Sequence, residues 1–231
     1  MKKSRLFVLV AAMLSCLVSA FAQSDDGSRK YVALSFDDGP NREITPRMLE
    51  VLKENNVKAS FFVIGSNVDR KTAPLLRKMV RMGCDVMNHT FTHPDLTKIT
   101  DEEILREIAM TDSVIIRWTG VRPSMVRPPY TAFNKHVADV IDGKTFIAGL
   151  SVGDWQAAMP TDEKVSKVLD RVKDGDILLF HDTNETTLEA VKILIPALEN
   201  LGYEICSVKE LFQHQGLVPP PHTPRMYSNV L

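Results

Sequence analysis

Tyr31-Val32-Ala33-Leu34-Ser35-Phe36-Asp37-Asp38-Gly39-Pro40 reads as a short apolar strand that delivers two adjacent carboxylates at its C-terminal end. β-Branched and aromatic residues dominate the run, and the turn formers Gly39 and Pro40 close it. Neighbouring carboxylates repel one another unless a cation or an arginine compensates them. Successive strand side chains also point to opposite faces, so a turn must begin here if both acids are to face one side. Gly39-Pro40 supplies that turn. These ten residues alone are equally compatible with an ordinary Asp-Gly-Pro turn whose carboxylates are solvated.

Outward from this stretch, six more runs have strand character: Ala59–Ile64, Cys84–Met87, Met125–Arg127, Thr145–Ser151, Asp176–Phe180 and Tyr203–Val208. The segments between them show helical spacing, with Met48, Leu49 and Leu52 on one face and Ile104, Leu105, Ile108 and Ala109 on another. Thr100 with Glu103, and Thr186 with Glu189, fit capping boxes that start two helices. Alternating strands and helices imply a parallel sheet. Its form follows from where the unusual residues fall. Asp37-Asp38 follows the first strand, His89 the third, Pro128-Pro129-Tyr130 the fourth, Asp154-Trp155 the fifth and His181 the sixth. An open sheet gathers ligands at one switch point, whereas a barrel brings every strand end to one mouth. Five contributing strands favour an incomplete (β/α) barrel of seven units.

Within that frame, His89-Thr90-Phe91-Thr92-His93-Pro94 holds two histidines at i and i+4, which can face one way on a helical turn and bind one metal. A pair alone fits a surface pair as well. Joined by one aspartate, it makes a three-ligand site with open positions, the arrangement of a catalytic metal. No cysteine cluster offers a closed structural alternative. Arg127 ends the fourth strand before a proline-stiffened loop, and Asp154-Trp155 pairs an acid with a large aromatic. His181-Asp182 leaves a strongly apolar strand, where a satisfied core histidine is the plain alternative. His136, His214 and His222 lie in helix-like or tail segments and carry no assignment.

Ser35-Phe36-Asp37-Asp38-Gly39-Pro40, His89-Thr90-Phe91-Thr92-His93-Pro94, Arg127-Pro128-Pro129-Tyr130, Asp154-Trp155 and Leu179-Phe180-His181-Asp182, in this order, resemble the motifs of the polysaccharide deacetylase (NodB-homology) family of carbohydrate esterases. The resemblance runs from about Tyr31 to Phe212. It implies a single-domain α/β fold, a distorted incomplete (β/α)7 barrel, and hydrolysis of N-acetyl or O-acetyl groups on a glycan. Carried over residue by residue, it makes Asp38, His89 and His93 the ligands of one divalent metal, usually zinc, with cobalt, nickel or manganese as substitutes. Asp37 becomes the general base, held by Arg127. His181 becomes the general acid, tuned by Asp154. The Tyr130 N–H would stabilise the oxyanion, and Trp155 and Leu179 would line the acetyl pocket.

Five positions depart from the family pattern. Thr131 replaces the usual glycine after the aromatic residue, and threonine does not readily reach positive φ, so a differently shaped loop is expected there. Ser151 stands where another acid is common, and Ala148, Gly149 and Leu150 replace aromatic neighbours. These changes leave open a glycan-binding protein without turnover. A phosphoryl-transfer enzyme built on the Asp pair lacks a glycine-rich phosphate cradle.

Composition bounds the partners. The 231 residues are 44% hydrophobic and 25% charged, ordinary for a globular chain. Lys2, Lys3 and Arg5, the apolar Leu6–Val18 run and Ala20-x-Ala22 describe a secretory signal peptide over residues 1–22, which predicts export to the periplasm or beyond. Its removal shifts the formal charge from −1 to −4, with no basic cluster for nucleic acid or an anionic membrane. Residues 23–30 read as a disordered linker, 31–214 as the deacetylase domain and 215–231 as an extended Pro-rich tail. Cys84 and Cys206 are expected as buried thiols. Oligomeric state is open.

Overall fold

The computed structural model describes residues 29–231. The expected signal peptide and residues 23–28 of the linker lie outside the described residues. Eight strands form one parallel sheet: β1 (Lys30–Asp37), β2 (Ser60–Val63), β3 (Asp85–Asn88), β4 (Met125–Val126), β5 (Thr145–Phe146), β6 (Leu150–Ser151), β7 (Ile177–His181) and β8 (Tyr203–Cys206). Seven α-helices alternate with them among the described residues: α1 (Ile44–Glu54), α2 (Ala73–Arg81), α3 (Asp101–Thr119), α4 (Lys135–Val140), α5 (Thr161–Leu169), α6 (Glu185–Asn200) and α7 (Val208–His214).

The strand order is β5-β4-β3-β2-β1-β7-β6, with β8 paired to the first half of β1. This order forces the sheet to curl. Its two edge strands, β5 and β6, are separated in the chain only by residues 147–149. Four residue steps reach at most ~14 Å, whereas seven flat strands would span roughly 29 Å. The result is a single-domain α/β fold, a distorted and incomplete (β/α)7 barrel.

Thr145–Ser151 is thus not one strand, as the sequence pattern suggests, but two strands at opposite edges. Between them the chain crosses against β7, where a Cβ on Gly149 would lie 2.7 Å from the Leu179 Cβ and 2.9 Å from the Ile177 carbonyl. The tail closes the same gap. The Tyr227 N–H donates to the Phe146 carbonyl and the Ala148 N–H to the Tyr227 carbonyl. At the start of β7, the Ile177 N–H donates to the Ser228 carbonyl and the Val230 N–H to the Gly175 carbonyl. Val230 is buried there. Residues 227–230 of the Pro-rich segment are thus paired into the barrel wall.

β1 divides the core by period-two alternation. Val32, Leu34 and Phe36 pack with Met48, Leu49, Leu52, Leu188 and Val191 beneath the helices. Ala33 joins Phe62, Met87, Met125 and Ile147 in a second cluster, and Ser35 and Asp37 follow Ala33 on that side. Thr100 and Glu103 form the expected capping box on α3. At α6 the cap is Asn184, whose side chain accepts from the Thr187 N–H, two residues before the expected Thr186. The buried face of α3 carries Ile104, Glu107, Ile108, Thr111 and Ile115, leaving Leu105 half exposed. Cys84 and Cys206 are free and buried, and burial pushes the Cys84 thiol up to about 11.

Truncation before Arg225 should cost at least about 2 kcal/mol, because it removes the four backbone bonds and the buried Val230. That corresponds to a Tm lower by about 4–8 °C. An unchanged Tm would show that the tail does not close the wall.

Candidate active site

Asp37 and His181 are register partners at the ends of adjacent strands β1 and β7, so the two sides of the mouth are set by backbone pairing. Asp37 is almost wholly buried, and its Oδ1 accepts from Arg127 Nη1 at 2.6 Å. Arg127 is fully buried. Its Nη2 donates to Ser35 Oγ at 2.9 Å and to the Ala148 carbonyl at 2.7 Å, and the guanidinium lies 4.1 Å from the Phe62 ring centroid. Burial lowers the guanidinium's pKa, opposed by the charge and hydrogen bond of Asp37. With Oδ1 committed to Arg127, Asp37 Oδ2 faces His89 Nε2 at 3.8 Å.

Asp38 turns the other way. It adopts φ 70, a left-handed conformation that aspartate tolerates, and the Asn67 side chain donates to its carbonyl at 2.8 Å. The turn therefore starts at Asp38 itself. Gly39 is needed for a different reason: a Cβ there would meet the buried Asp182 carboxylate at 2.5 Å. Asp182 is held by the Thr45 hydroxyl, and burial pushes its carboxyl up to about 7.

The two histidines approach Asp38 Oδ1 through Nε2, each at 3.3 Å. They do so from a tight loop rather than the helical turn that their spacing suggests, with Thr90 at φ 66 and His93 at φ 64. Buried Asp38 Oδ1 has no hydrogen-bond partner. His89 Nδ1 lies 2.6 Å from the Arg127 carbonyl, which can only accept. Nδ1 is therefore the protonated nitrogen, and the Nε2 lone pair of the neutral ring points at Asp38. An orphaned carboxylate oxygen facing the His89 lone pair, with a second imidazole nitrogen at the same distance, is a donor set for a cation. The three ligand atoms lie within 4.8 Å of one another, so Asp38, His89 and His93 fit a divalent metal with positions left open.

Opposite, His181 Nδ1 lies 2.9 Å from Asp154 Oδ1, and the His181 N–H donates to Asp154 Oδ2 at 2.8 Å. Burial alone would lower the His181 pKa. The hydrogen bond and charge of Asp154, then the charges of Asp37 and Asp38, reverse this and raise it to about 8. A cavity of about 400 Å³ joins these groups and is walled by Tyr130, Thr131, Ser151, Trp155 and Leu179. The Trp155 ring stands edge-on to His181 at 5.7 Å and is half exposed, whereas Leu179 is buried. Tyr130 meets His93 edge-on at 4.8 Å. Eight of the ten residues singled out in the sequence line this cavity, and Arg127 and Asp154 lie buried behind it, bonded to Asp37 and His181.

Thr131 corrects an expectation. It sits at φ 52 after Tyr130 at φ 59, so the loop takes the left-handed shape usually left to glycine. A β-branched residue there stores about 1–3 kcal/mol of strain.

Three supports escaped the sequence reading. Glu107 accepts from the Phe91 N–H, the Thr92 N–H and the Thr92 hydroxyl, each at 2.7 Å, and so holds the loop that carries His93. Asn88 Oδ1 accepts from the Thr90 N–H, while its amide donates to Asp112 and the Ile108 carbonyl. The Ser35 hydroxyl donates to the Leu178 carbonyl and accepts from Arg127. An acid on an apolar helix face and a serine inside a core strand were the available signals.

An incomplete barrel with an open-sided metal cradle at its mouth defines a class, and the sequence places the chain within it. The chain belongs to the polysaccharide deacetylase family, whose pattern matches residues 24–144. It is 38% identical over 225 residues to a bifunctional xylanase/deacetylase of Pseudobutyrivibrio xylanivorans, covering 96% of this chain and 37% of that protein. It is 37% identical to a peptidoglycan-N-acetylglucosamine deacetylase of Listeria monocytogenes, covering 80% of this chain and 39% of that one. The chain therefore spans under two fifths of the length of these curated relatives. A family 4 acetyl xylan esterase from Clostridium thermocellum, solved with a cobalt ion, superposes with TM-score 0.84 at 36% identity, covering 87% of this chain and 99% of that one.

Glu107→Ala should weaken binding of a divalent metal about 10–100-fold although it removes no ligand, because the His93 loop loses its anchor. A competition titration against a chromophoric chelator reads this directly. Unchanged affinity in a folded variant would contradict the anchoring role.

Proposed function

We propose that the chain is a metal-dependent hydrolase that removes N- or O-linked acetyl groups from a polysaccharide or oligosaccharide. The observation that carries this reading is the convergence of Asp37 and His181, register partners on adjacent strands, beside the Asp38–His89–His93 cradle. The names of the relatives, on xylan and on peptidoglycan, support an acetylated glycan as substrate. A divalent cation, zinc or in its place cobalt, nickel or manganese, supplies Lewis-acid polarisation of the acetyl carbonyl and a lowered pKa for water when bound there.

The chain's own groups do the rest. Asp37 takes a proton from the attacking water through the oxygen that Arg127 leaves free. Arg127 keeps that carboxylate ionised and fixed in direction. As the new C–O bond forms, the carbonyl oxygen gains negative charge, and the Tyr130 N–H is the donor that stabilises it. His181, cationic below about pH 8, gives its proton to the departing nitrogen or oxygen as that bond to the acyl carbon breaks. Asp154 stabilises the imidazolium, and Trp155 with Leu179 holds the methyl group.

Acetate release from matched N-acetylated chitooligosaccharide and O-acetylated xylooligosaccharide tests the proposal. Release from either supports it and separates amidase from esterase. Absence of release across a wider acetylated-glycan panel, with metal bound, would sink it. The alternative of glycan binding without turnover loses its main support, since Thr131 keeps the loop in the left-handed shape. The leader-like residues 1–22 support export of the activity, in which case the mature protein should begin at Gln23 on N-terminal sequencing.

Asp37→Asn should keep the metal and lose about 10²–10⁴-fold in kcat. A wild-type rate would remove it from the mechanism. The pH profile follows from His181. Its raised pKa keeps the acid protonated below about 8, so kcat should fall as pH rises through that value. Asp154→Asn removes the charge that raises this pKa, and the fall should then begin at lower pH. An unmoved basic limb would contradict the Asp154–His181 coupling.

A further inference from the structure

The Asp154–His181 arm rests on a lysine that no motif marks. Lys164 lies in α5, and its side chain is completely buried. Its ammonium has four oxygen neighbours: the Asp154 carbonyl at 2.7 Å, Thr186 Oγ1 at 2.6 Å, and Asn184 Oδ1 and Thr187 Oγ1 at 3.3 Å each. An ammonium has three donors, so these neighbours saturate it. Every one belongs either to Asp154 or to the cap and first turn of α6. No carboxylate lies within ion-pair distance of Nζ among the described residues, so the charge is balanced by oriented dipoles. A lysine buried in this way is costly, and a purely structural staple between α5 and α6 could be apolar.

Asp154 is itself wholly buried and fully engaged. Oδ1 holds the His181 ring, while Oδ2 accepts the His181 N–H and the Thr187 hydroxyl, the latter at 3.0 Å. Thr187 thus touches both Lys164 and the carboxylate. Lys164 binds the backbone of Asp154 on one side and the α6 turn that follows His181 on the other. The two ends of the acid arm therefore share one cation behind them.

We infer that Lys164 is a positioning residue for proton donation: it fixes Asp154 against the start of α6 and so holds the His181 imidazolium in its donating orientation, without touching substrate. The inference rests on the reading of His181 as the general acid. Burial lowers the ammonium's pKa and the charge of Asp154 raises it, which is consistent with electrostatic communication between the two.

The test exploits the leaving group. Metal-loaded Lys164→Met, nearly isosteric and without donors, is assayed on N-acetylated chitooligosaccharide, which needs a proton donor, and on 4-nitrophenyl acetate, whose leaving group does not. The expected result is a kcat about 10–100-fold lower on the amide, with KM within about twofold, and a loss of no more than about threefold on the ester. On a His181→Ala background the same change should cost no further amide activity, because the two residues act as one unit. Equal losses on both substrates, or additive losses on the His181→Ala background, would overturn the inference and leave Lys164 a structural residue. If Lys164→Met does not fold, Thr187→Val removes one hydroxyl shared by Lys164 and Asp154. It should show the same amide-selective loss at about 3–10-fold, and no selectivity there overturns the inference equally. If His181→Ala is itself unselective, the acid reading fails, and the positioning role goes with it. If His181→Ala is selective and neither supporting variant is, only the positioning role fails.

Discussion

The fully buried guanidinium of Arg127 is the constraint on which the rest of the mouth depends. Removing an arginine from water is expensive, and the cost is offset only where its donors meet well-placed acceptors. Here those acceptors come from separate parts of the barrel: Asp37 and Ser35 on β1, and the Ala148 carbonyl in the crossing between β5 and β6. The ring of Phe62 on β2 adds a cation–π contact. Arg127 itself follows β4, and its carbonyl receives His89 Nδ1. One residue therefore sets the direction of the Asp37 carboxylate, the tautomer of His89 and the path of the chain across the gap.

This arrangement explains how two adjacent carboxylates can do different work. Asp37 lies on the inward face of β1 and shares its charge with Arg127. Asp38, one residue later, leaves the strand through a left-handed turn and presents Oδ1 to two imidazoles. Repulsion between the acids is relieved on one side by the guanidinium, and a cation held by Asp38, His89 and His93 would relieve it on the other. For His181 on the adjacent strand, Asp154, Lys164 and the α6 cap form an equally buried support. Loss of one partner in a buried polar network leaves others unpaired, which is why single changes deep in the wall are expected to reach the chemistry.

Much of this was legible in the sequence because strand ends carry the chemistry in a barrel. The alternation of apolar runs and turn residues located seven of the eight strands, and the acids, histidines and arginine at their ends identified one mouth. What was missed has physical causes. Residues 145–151 form an unbroken apolar run, and the only hint that it divides between two edges is Gly149, whose lack of a side chain permits contact with β7. Simple periodicity on α3 chose Leu105 and Ala109, because it counts carbon and not the backbone N–H groups of the His93 loop that Glu107 must satisfy. Thr131 was misread because intrinsic preference was allowed to outrank a loop already stiffened by Pro128 and Pro129. Lys164 gave no sign, since its partners come together only when α5 and α6 pack.

The central claim is that the two carboxylates are divided between base and ligand, and crystallographic anomalous scattering from zinc-loaded protein tests it most directly. The account predicts one strong peak about 2.0–2.2 Å from a carboxylate oxygen of Asp38 and Nε2 of His89 and His93, with Asp37 outside coordination distance and still on Arg127. A peak coordinated by Asp37, or a metal bound away from this triad, would contradict it.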